Sequence, residues 1–326
     1  MTFFEMLTTR LGDTFLFSYL LSPVYVAATV ALVWFVWWKR GIGGSFLAYL
    51  FPKNVYLHRS TWMDIKLAAF NVCMMVAGFF SMIAFTPWVT IEAHVALVQF
   101  TGHSADGTST VRMIFAGLLI FVTQDFCQYW THYLNHKYRF LWPFHAVHHS
   151  AEVMTPITFM RAHPVYYIVQ LMIHSVIVGI VQALVLFAVI GQITTEVVYV
   201  SVIAWNVYVF FGAHLRHSHV WISYGRFWEH ILISPAQHQI HHSTNPEHFD
   251  KNYGEIFAIW DWLFGTLYVP EKIEDVTFGL GDQDGVLIPQ KYPTLRTALL
   301  GPFQEVLEDV AHGTSYDPNR AQNTQS

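Results

Sequence analysis

The chain has 326 residues, of which 54% are apolar, 17% aromatic and only 12% charged. A soluble domain usually carries about a quarter charged residues, so this composition indicates a membrane protein with several spanning segments. The net charge is -5 and the sequence has no basic stripe interleaved with aromatic residues, which argues against nucleic acid as a partner.

Five apolar windows are candidates for helices that cross a bilayer, which takes about 20 mostly apolar residues. The windows are residues 15–38, 67–89, 113–133, 165–190 and 197–212. The last window is short and has polar flanks, so a tilted or re-entrant segment is an alternative there. The sequence predicts an all-α fold: a polytopic bundle of membrane helices with a helical cap that holds a histidine-rich site.

Basic residues predict the orientation of this bundle, since cytoplasmic loops are enriched in Lys and Arg. Several basic residues lie between the first two windows, whereas residues 90–110 contain none. The first loop is therefore predicted to be cytoplasmic and the second to lie on the far side. Counting the crossings onward places residues 135–164, and the chain after about residue 213, on the cytoplasmic face.

Histidines form four spaced groups at or beyond the cytoplasmic ends of these windows. The groups are His132 and His136; His145, His148 and His149; His214 and His217; and His238, His241 and His242. Side chains three or four residues apart share one face of a helix, and neutral imidazole is a ligand for iron, zinc, copper and nickel. So many titratable rings next to a membrane predict a site for more than one metal ion.

The residues around these groups resemble the fatty acid hydroxylase and sterol desaturase superfamily of integral-membrane di-metal oxygenases, over about residues 112–268. The matching features are Asp125 with Tyr129 and Trp130, the RAHP element at 161–164, NYG at 252–254, WD at 260–261 and FGT at 264–266. Many relatives have a single histidine followed by Ala-Asn-Leu-Arg where this chain reads AHLRHSH. The sequence therefore leaves open which of His214, His217 and His219 are ligands.

The resemblance, together with the composition of the residues outside it, implies three regions. Residues 1–111 would supply N-terminal membrane anchors, residues 112–270 a catalytic domain similar to fatty acid hydroxylases, and residues 271–326 a polar C-terminal tail that ends in disorder. It also implies two iron ions, with zinc as a substitute in isolated protein, and O2 as co-substrate. The sequence has no His-Pro-Gly-Gly stretch, so no fused b-type cytochrome is expected and a separate electron carrier would supply the electrons.

A further set of residues is expected to orient the metal-binding rings, because outer partners commonly fix the imidazole that binds a metal. These residues are Asp125, His163, Asn252 and Asp261. Arg161 is a candidate for binding the head group of a substrate, or alternatively for bracing the site.

The expected reaction is hydroxylation or desaturation of a membrane lipid, either sterol-like or an acyl or aminolipid chain. A histidine-rich metal-ion transporter is the alternative, although transporters place their ligands near the bilayer midplane. A zinc hydrolase would need only three ligands and a water molecule. The sequence leaves the oligomeric state and the identity of the lipid open.

Overall fold

The computed structural model describes residues 23–107, 109–192, 195–210, 212 and 215–312. The described residues form helices joined by loops with isolated β-bridges. In chain order the helices are α1 (Pro23–Lys39), α2 (Phe46–Leu50), α3 (Lys53–Tyr56), α4 (Arg59–Val76), α5 (Phe79–Ile83), α6 (Thr86–Thr101), α7 (Thr110–Lys137), α8 (Trp142–His149), α9 (Pro164–Val185), α10 (Thr195–Phe210), α11 (Pro235–His241), α12 (Ile259–Phe264) and α13 (Leu295–His312). A π-helical turn, Leu186–Ile190, continues α9.

Within this described part, three helical stretches are long and apolar enough to cross a membrane. They are Phe79–Thr101, Thr110–Lys137 and Pro164–Ile190. The apolar helices α1 and α10 are shorter, with 17 and 16 residues. These spans confirm the predicted bundle of membrane helices, and the windows at 113–133 and 165–190 lie inside two of them.

The window at 67–89 is wrong as a single span. Helix α4 ends at Val76, Gly78 adopts a left-handed φ of 77°, and the apolar span runs from Phe79 to Thr101. The physical reason lies in α4, where Asp64 and Asn71 are fully buried against protein. The Asn71 side chain donates to the backbone carbonyls of residues 160 and 162, at 3.1 and 2.9 Å. Helix α4 therefore packs on a loop, and the span includes residues 90–101, which the sequence had placed beyond the membrane.

The spanning helices pack closely where glycine removes a side chain. A Cβ atom on Gly117 of α7 would lie 2.6 Å from the Val200 side chain of α10. A Cβ atom on Gly179 of α9 would lie 2.8 Å from Val89 of α6. Small residues allow membrane helices to approach at such contacts, so α7 and α9 form the centre of the bundle and α6 and α10 flank them.

A compact layer, here called the cap and formed by residues 138–163 and 215–312, lies against one end of α7 and α9. Helix α13 packs on α8 and α4, where Trp142, Tyr292 and Ala298 belong to one buried apolar cluster. Residues 271–312, expected to be part of a polar tail, thus contribute packed structure to the cap. The predicted disordered end, residues 314–326, lies outside the described residues.

Candidate metal centre

Two helices supply the first histidines. His132 and His136 occupy the last turns of α7, four residues apart, and both are 6% exposed. Helix α8 begins with Trp142 and Pro143, and Pro is well suited to the first turn of a helix because its missing N–H has no partner there. Every residue of α8 is buried, including His145, His148 and His149. The two helices therefore bring five imidazoles into the interior of the protein.

Helix α11 carries the other triplet and has a well-defined start. The Ser234 hydroxyl accepts from the Gln237 backbone N–H, and the Gln237 side chain accepts from the Ser234 N–H, which is a capping box. The Gln237 amide also donates to the carbonyls of Glu229 and Tyr268, at 2.9 and 3.2 Å. These bonds fix a seven-residue helix that would be too short to be stable alone.

The structure sorts the buried histidines into two groups. The first histidine group is His132, His136, His145, His149 and His241, and the second histidine group is His148, His217, His238 and His242. Within each group the candidate ligand nitrogens all lie within 4.8 Å of one another, and every ring is at most 7% exposed. Each triplet contributes to both groups, so the two groups are neighbours.

The nitrogen atoms of the second group are too crowded for ordinary hydrogen bonding. The Nε2 atom of His217 lies 3.1 Å from Nε2 of His148 and 2.8 Å from Nε2 of His238, which itself lies 3.2 Å from Nε2 of His242. Neutral imidazole carries one N–H, and one hydrogen cannot satisfy several converging nitrogens. A shared cation would satisfy them all, so the donor set fits a metal that prefers nitrogen ligands.

Backbone carbonyls orient two rings of the first group. The Nδ1 atom of His132 lies 2.8 Å from the Tyr253 carbonyl, and Nδ1 of His241 lies 2.7 Å from the Lys251 carbonyl. A carbonyl only accepts, so each Nδ1 carries the hydrogen and each Nε2 keeps a free lone pair. The Nε2 atoms of His136 and His241 are buried and lack a hydrogen-bond partner. Such atoms are expected where a metal belongs.

The loop that carries these carbonyls, residues 250–257, is held by three of the residues predicted to orient the rings. Asn252 has a φ of 56°; its side chain accepts from the N–H of residue 268 and donates to the carbonyl of residue 237. Asp261 accepts from the backbone N–H groups of residues 253 and 254. Asp125 accepts from the N–H groups of residues 256 and 257 and from the Trp260 indole. The hydrogen bonds of these three side chains thus go mainly to backbone groups in and around the loop rather than to the imidazole rings.

His163 lies at a junction between the membrane bundle and the cap. Its Nδ1 accepts from the Val165 N–H at the start of α9, and its Nε2 lies 3.1 Å from the Leu299 carbonyl of α13. Its ring packs between Phe144 of α8 and Phe303. His163 therefore joins three helices and stands apart from both histidine groups.

Arg161 is fully buried, and its guanidinium is surrounded by protein acceptors. It forms an ion pair with Asp64 at 2.9 Å. It donates to the Val147 carbonyl at 2.9 Å, to the hydroxyl and carbonyl of Ser60, and to the hydroxyl and carbonyl of Ser150. These contacts link α4 to the C-terminal end of α8, which matches the bracing alternative for Arg161.

Burial keeps four histidines of the two groups uncharged at neutral pH. Burial lowers the pKa of His148 to about 3 and that of His241 to about 4, and positive charge on His241 and on the Arg161 guanidinium lowers the pKa of His148 further. Burial likewise places the pKa of His217 and His238 well below the usual 6.5. Neutral imidazole is the form that binds metals, so these rings are ready to act as ligands at neutral pH.

Of the three histidines in AHLRHSH, two are described. His217 belongs to the second histidine group, whereas the Nε2 of His219 lies 2.7 Å from the Tyr49 carbonyl and its ring packs on Tyr49 and Tyr56. His214, predicted as a ligand, lies outside the described residues.

Sequence reasoning missed three residues of this centre. Tyr253 and Lys251 act through their backbone carbonyls; Tyr253 lies in the NYG motif, and Lys251 directly precedes it. The Tyr166 ring stacks on His145, with centroids 5.1 Å apart and an interplanar angle of 18°. Its position two residues after the RAHP element is the one hint in the sequence.

Comparison with known proteins bears on the identity of this centre. Residues 117–266 match the Fatty acid hydroxylase family. The alkylglycerol monooxygenase of Danio rerio is 30% identical over 174 residues, which are 50% of this chain and 32% of that protein. The ornithine lipid hydroxylase OlsE of Rhizobium tropici is 29% identical over 58% of this chain and 52% of its own length.

A third relative is named as a desaturase rather than as a monooxygenase or hydroxylase. The Delta(7)-sterol 5(6)-desaturase ERG3A of Gibberella zeae is 26% identical over 69% of this chain and 57% of its own length. The aligned segments thus span between 32% and 57% of these relatives. No solved structure matches the chain significantly. The family match and the relatives confirm the resemblance read from the motifs: over residues 117–266 the chain carries a domain of the fatty acid hydroxylase superfamily.

Proposed function

We propose that this protein is a membrane-bound di-iron oxygenase that uses O2 and an external reductant to hydroxylate or desaturate a membrane lipid. One observation carries the proposal: two adjacent, buried groups of histidines lie where the spanning helices α7 and α9 meet the cap. The names of the relatives, a monooxygenase, a hydroxylase and a desaturase of lipids, support it.

The histidine groups match the needs of this chemistry. Two redox ions bound side by side would activate dioxygen and allow removal of hydrogen from an unactivated C–H bond. The chain contributes neutral nitrogen ligands, and it fixes two rings through the carbonyls of residues 251 and 253. Asp125, Asn252 and Asp261 hold the loop that bears these carbonyls, so we propose that they position ligands indirectly.

The metal in the cell is proposed to be iron. Divalent zinc binds nitrogen sites more tightly than ferrous iron, so protein from an overexpressing culture is expected to contain some zinc. We place the centre on the cytoplasmic face, because basic residues cluster before α4 while the loop between α6 and α7 lacks Lys and Arg in the sequence. A separate electron-transfer protein would then deliver electrons from that side.

Metal analysis of protein purified from iron-supplemented cells tests the centre. We expect two iron ions per chain, and fewer in the His241→Ala variant because the first group loses a ligand. His103→Ala is the matched control, since His103 is exposed in the loop after α6. One ion or none in active protein would contradict a di-metal centre.

Lipid mass spectrometry tests the reaction. Cells with and without the chain are compared: a gain of one oxygen on a defined lipid indicates hydroxylation, and a loss of two hydrogens indicates desaturation. The sterol-like and acyl or aminolipid alternatives are separated by the lipid class that changes. An unchanged lipid profile with the metal centre intact would refute the enzymatic proposal.

A metal-ion transporter remains the second candidate because it too combines spanning helices with histidines. The described ligands argue against it, since they lie in the last turns of α7 and in the cap rather than at a bilayer midplane. Uptake of radioactive iron or zinc by proteoliposomes, reduced in the His241→Ala variant, would support transport and contradict the oxygenase.

A further inference from the structure

A polar side chain continues the ligand-bearing face of α7 into the membrane span. Gln128 precedes His132 by four residues, as His132 precedes His136, so the three share one face of the helix. One helical turn separates Gln128 from His132, which is about 6 Å along the axis. Gln128 therefore lies just beyond the first histidine group, on the side of the bilayer.

Two residues of α9 join Gln128 and complete what we call the polar trio: Gln128, Tyr166 and Gln170. The Gln128 amide donates to the Tyr166 hydroxyl at 3.0 Å, and the Gln170 amide donates to the Gln128 carbonyl oxygen at 2.5 Å. The Tyr166 ring stacks on His145 of the first histidine group. The polar trio thus lies between the metal centre and the apolar interior of the bundle.

Polar groups inside a membrane bundle are costly, and they are commonly functional. The bonds within the polar trio leave part of its capacity unused among the described residues. Each glutamine amide retains a second N–H, and the Tyr166 hydroxyl retains its hydrogen. The trio carries no charge, and it keeps three unused donors, one N–H on each glutamine and the Tyr166 O–H, together with the Gln170 carbonyl oxygen as an acceptor. An uncharged oxygen that accepts hydrogen bonds is the complementary ligand.

We propose that the polar trio binds an uncharged oxygen of the lipid substrate, such as an ether, hydroxyl, ester or amide oxygen, a few bonds from the carbon that reacts. The inference rests on the proposed function and narrows its substrate class. A lipid chain that enters from the bilayer would pass this point before it reaches the first histidine group. A bound oxygen there would fix which carbon faces the metals, because positioning of the substrate decides where it reacts.

A pair of isosteric probes tests the inference: methyl hexadecyl ether and octadecane, which differ by one oxygen in place of one methylene. Purified protein in nanodiscs is incubated with both labelled probes, and the bound ratio is measured without turnover. The ratio of oxidised products is measured in a second, competitive reaction. We expect wild-type protein to favour the ether by about 5- to 10-fold, the usual effect of one hydrogen bond.

The variants Gln128→Leu, Gln170→Leu and Tyr166→Phe should bring both ratios close to 1. Tyr166→Phe keeps the stack on His145 and removes only the hydroxyl. Gln99→Leu is the matched control, because Gln99 is exposed on α6, outside the polar trio, and the replacement is the same chemical change. We expect it to leave both ratios unchanged.

The outcomes separate this inference from the proposed function. Equal binding of the two probes to wild-type protein would overturn the inference, even if both are oxidised. A binding preference that persists in all three variants would also overturn it and leave the trio as a contact between helices. A preference for the ether that the variants abolish, with neither probe oxidised, would support the binding site and count against the oxygenase.

Discussion

Replacing Arg161 by Met is expected to destabilise the fold severely, because it leaves the Asp64 carboxylate buried without its partner. Both side chains of the ion pair are at most 1% exposed. After the change, the Thr158 hydroxyl, at 2.6 Å, remains as a donor to Asp64. Breaking a buried pair by removing one partner costs about 3–5 kcal/mol, and at 1.36 kcal/mol per tenfold this lowers the ratio of folded to unfolded protein by roughly 2 to 4 powers of ten.

Unfolding of purified protein in mixed micelles, followed by far-UV circular dichroism, measures this loss. The double variant Arg161→Met with Asp64→Leu should recover part of the stability, because an apolar pair of similar volume is often as stable as a buried ion pair. The experiment also decides between the two roles that the sequence left open for Arg161. If Arg161→Met unfolded like the wild type and only raised KM for the lipid, the bracing role would be refuted and head-group binding supported.

Three further predictions concern the metal centre and its supports. Asp125→Asn should weaken metal binding about 10- to 100-fold in a chelator competition, the usual range for an outer partner of a metal site; unchanged affinity would mean that the loop needs no carboxylate there. Gly254→Ala should lower both stability and iron content, because its Cβ would lie 2.8 Å from a carboxylate oxygen of Asp261; normal iron content would show that the loop adapts. Burial lowers the pKa of His241 to about 4 and of His148 to about 3, against 6.5 when unfolded. The unfolded state then binds more protons, so the free energy of unfolding should fall as pH drops from about 6.5 to about 4; melts of metal-free protein that are flat across this range would contradict the assignment.

The sequence predicted the helical bundle and the family because both leave local signals. Long apolar runs mark spans by length, and the spacing of histidines at three and four residues marks helical faces. The window at 67–89 failed because apolar residues in α4 resemble a span, while its buried Asp64 and Asn71 bond to residues far along the chain. Such tertiary partners cannot be read from hydropathy.

Within the site, residue types were predictable and partners were not. Asp125 was expected to orient the metal-binding rings, yet its oxygens accept from backbone N–H groups about 130 residues away in sequence, at 256 and 257. The division of the histidines into two groups also depends on how α8 and α11 approach each other. Tyr166 and Gln128 carry no motif, and their link is visible once α7 and α9 are packed.

The two carbonyl contacts to His132 and His241 have a consequence for the genetics of this protein. A carbonyl is present whatever side chain the residue carries, so Lys251, whose side chain is partly exposed, should tolerate most replacements in a random-mutagenesis screen. Loss-of-function changes should instead collect at Asn252 and Gly254, which set the path of the main chain. The main-chain path of this loop thus sets the orientation of the two rings, and a screen that looked for polar side chains beside the histidine groups would overlook it.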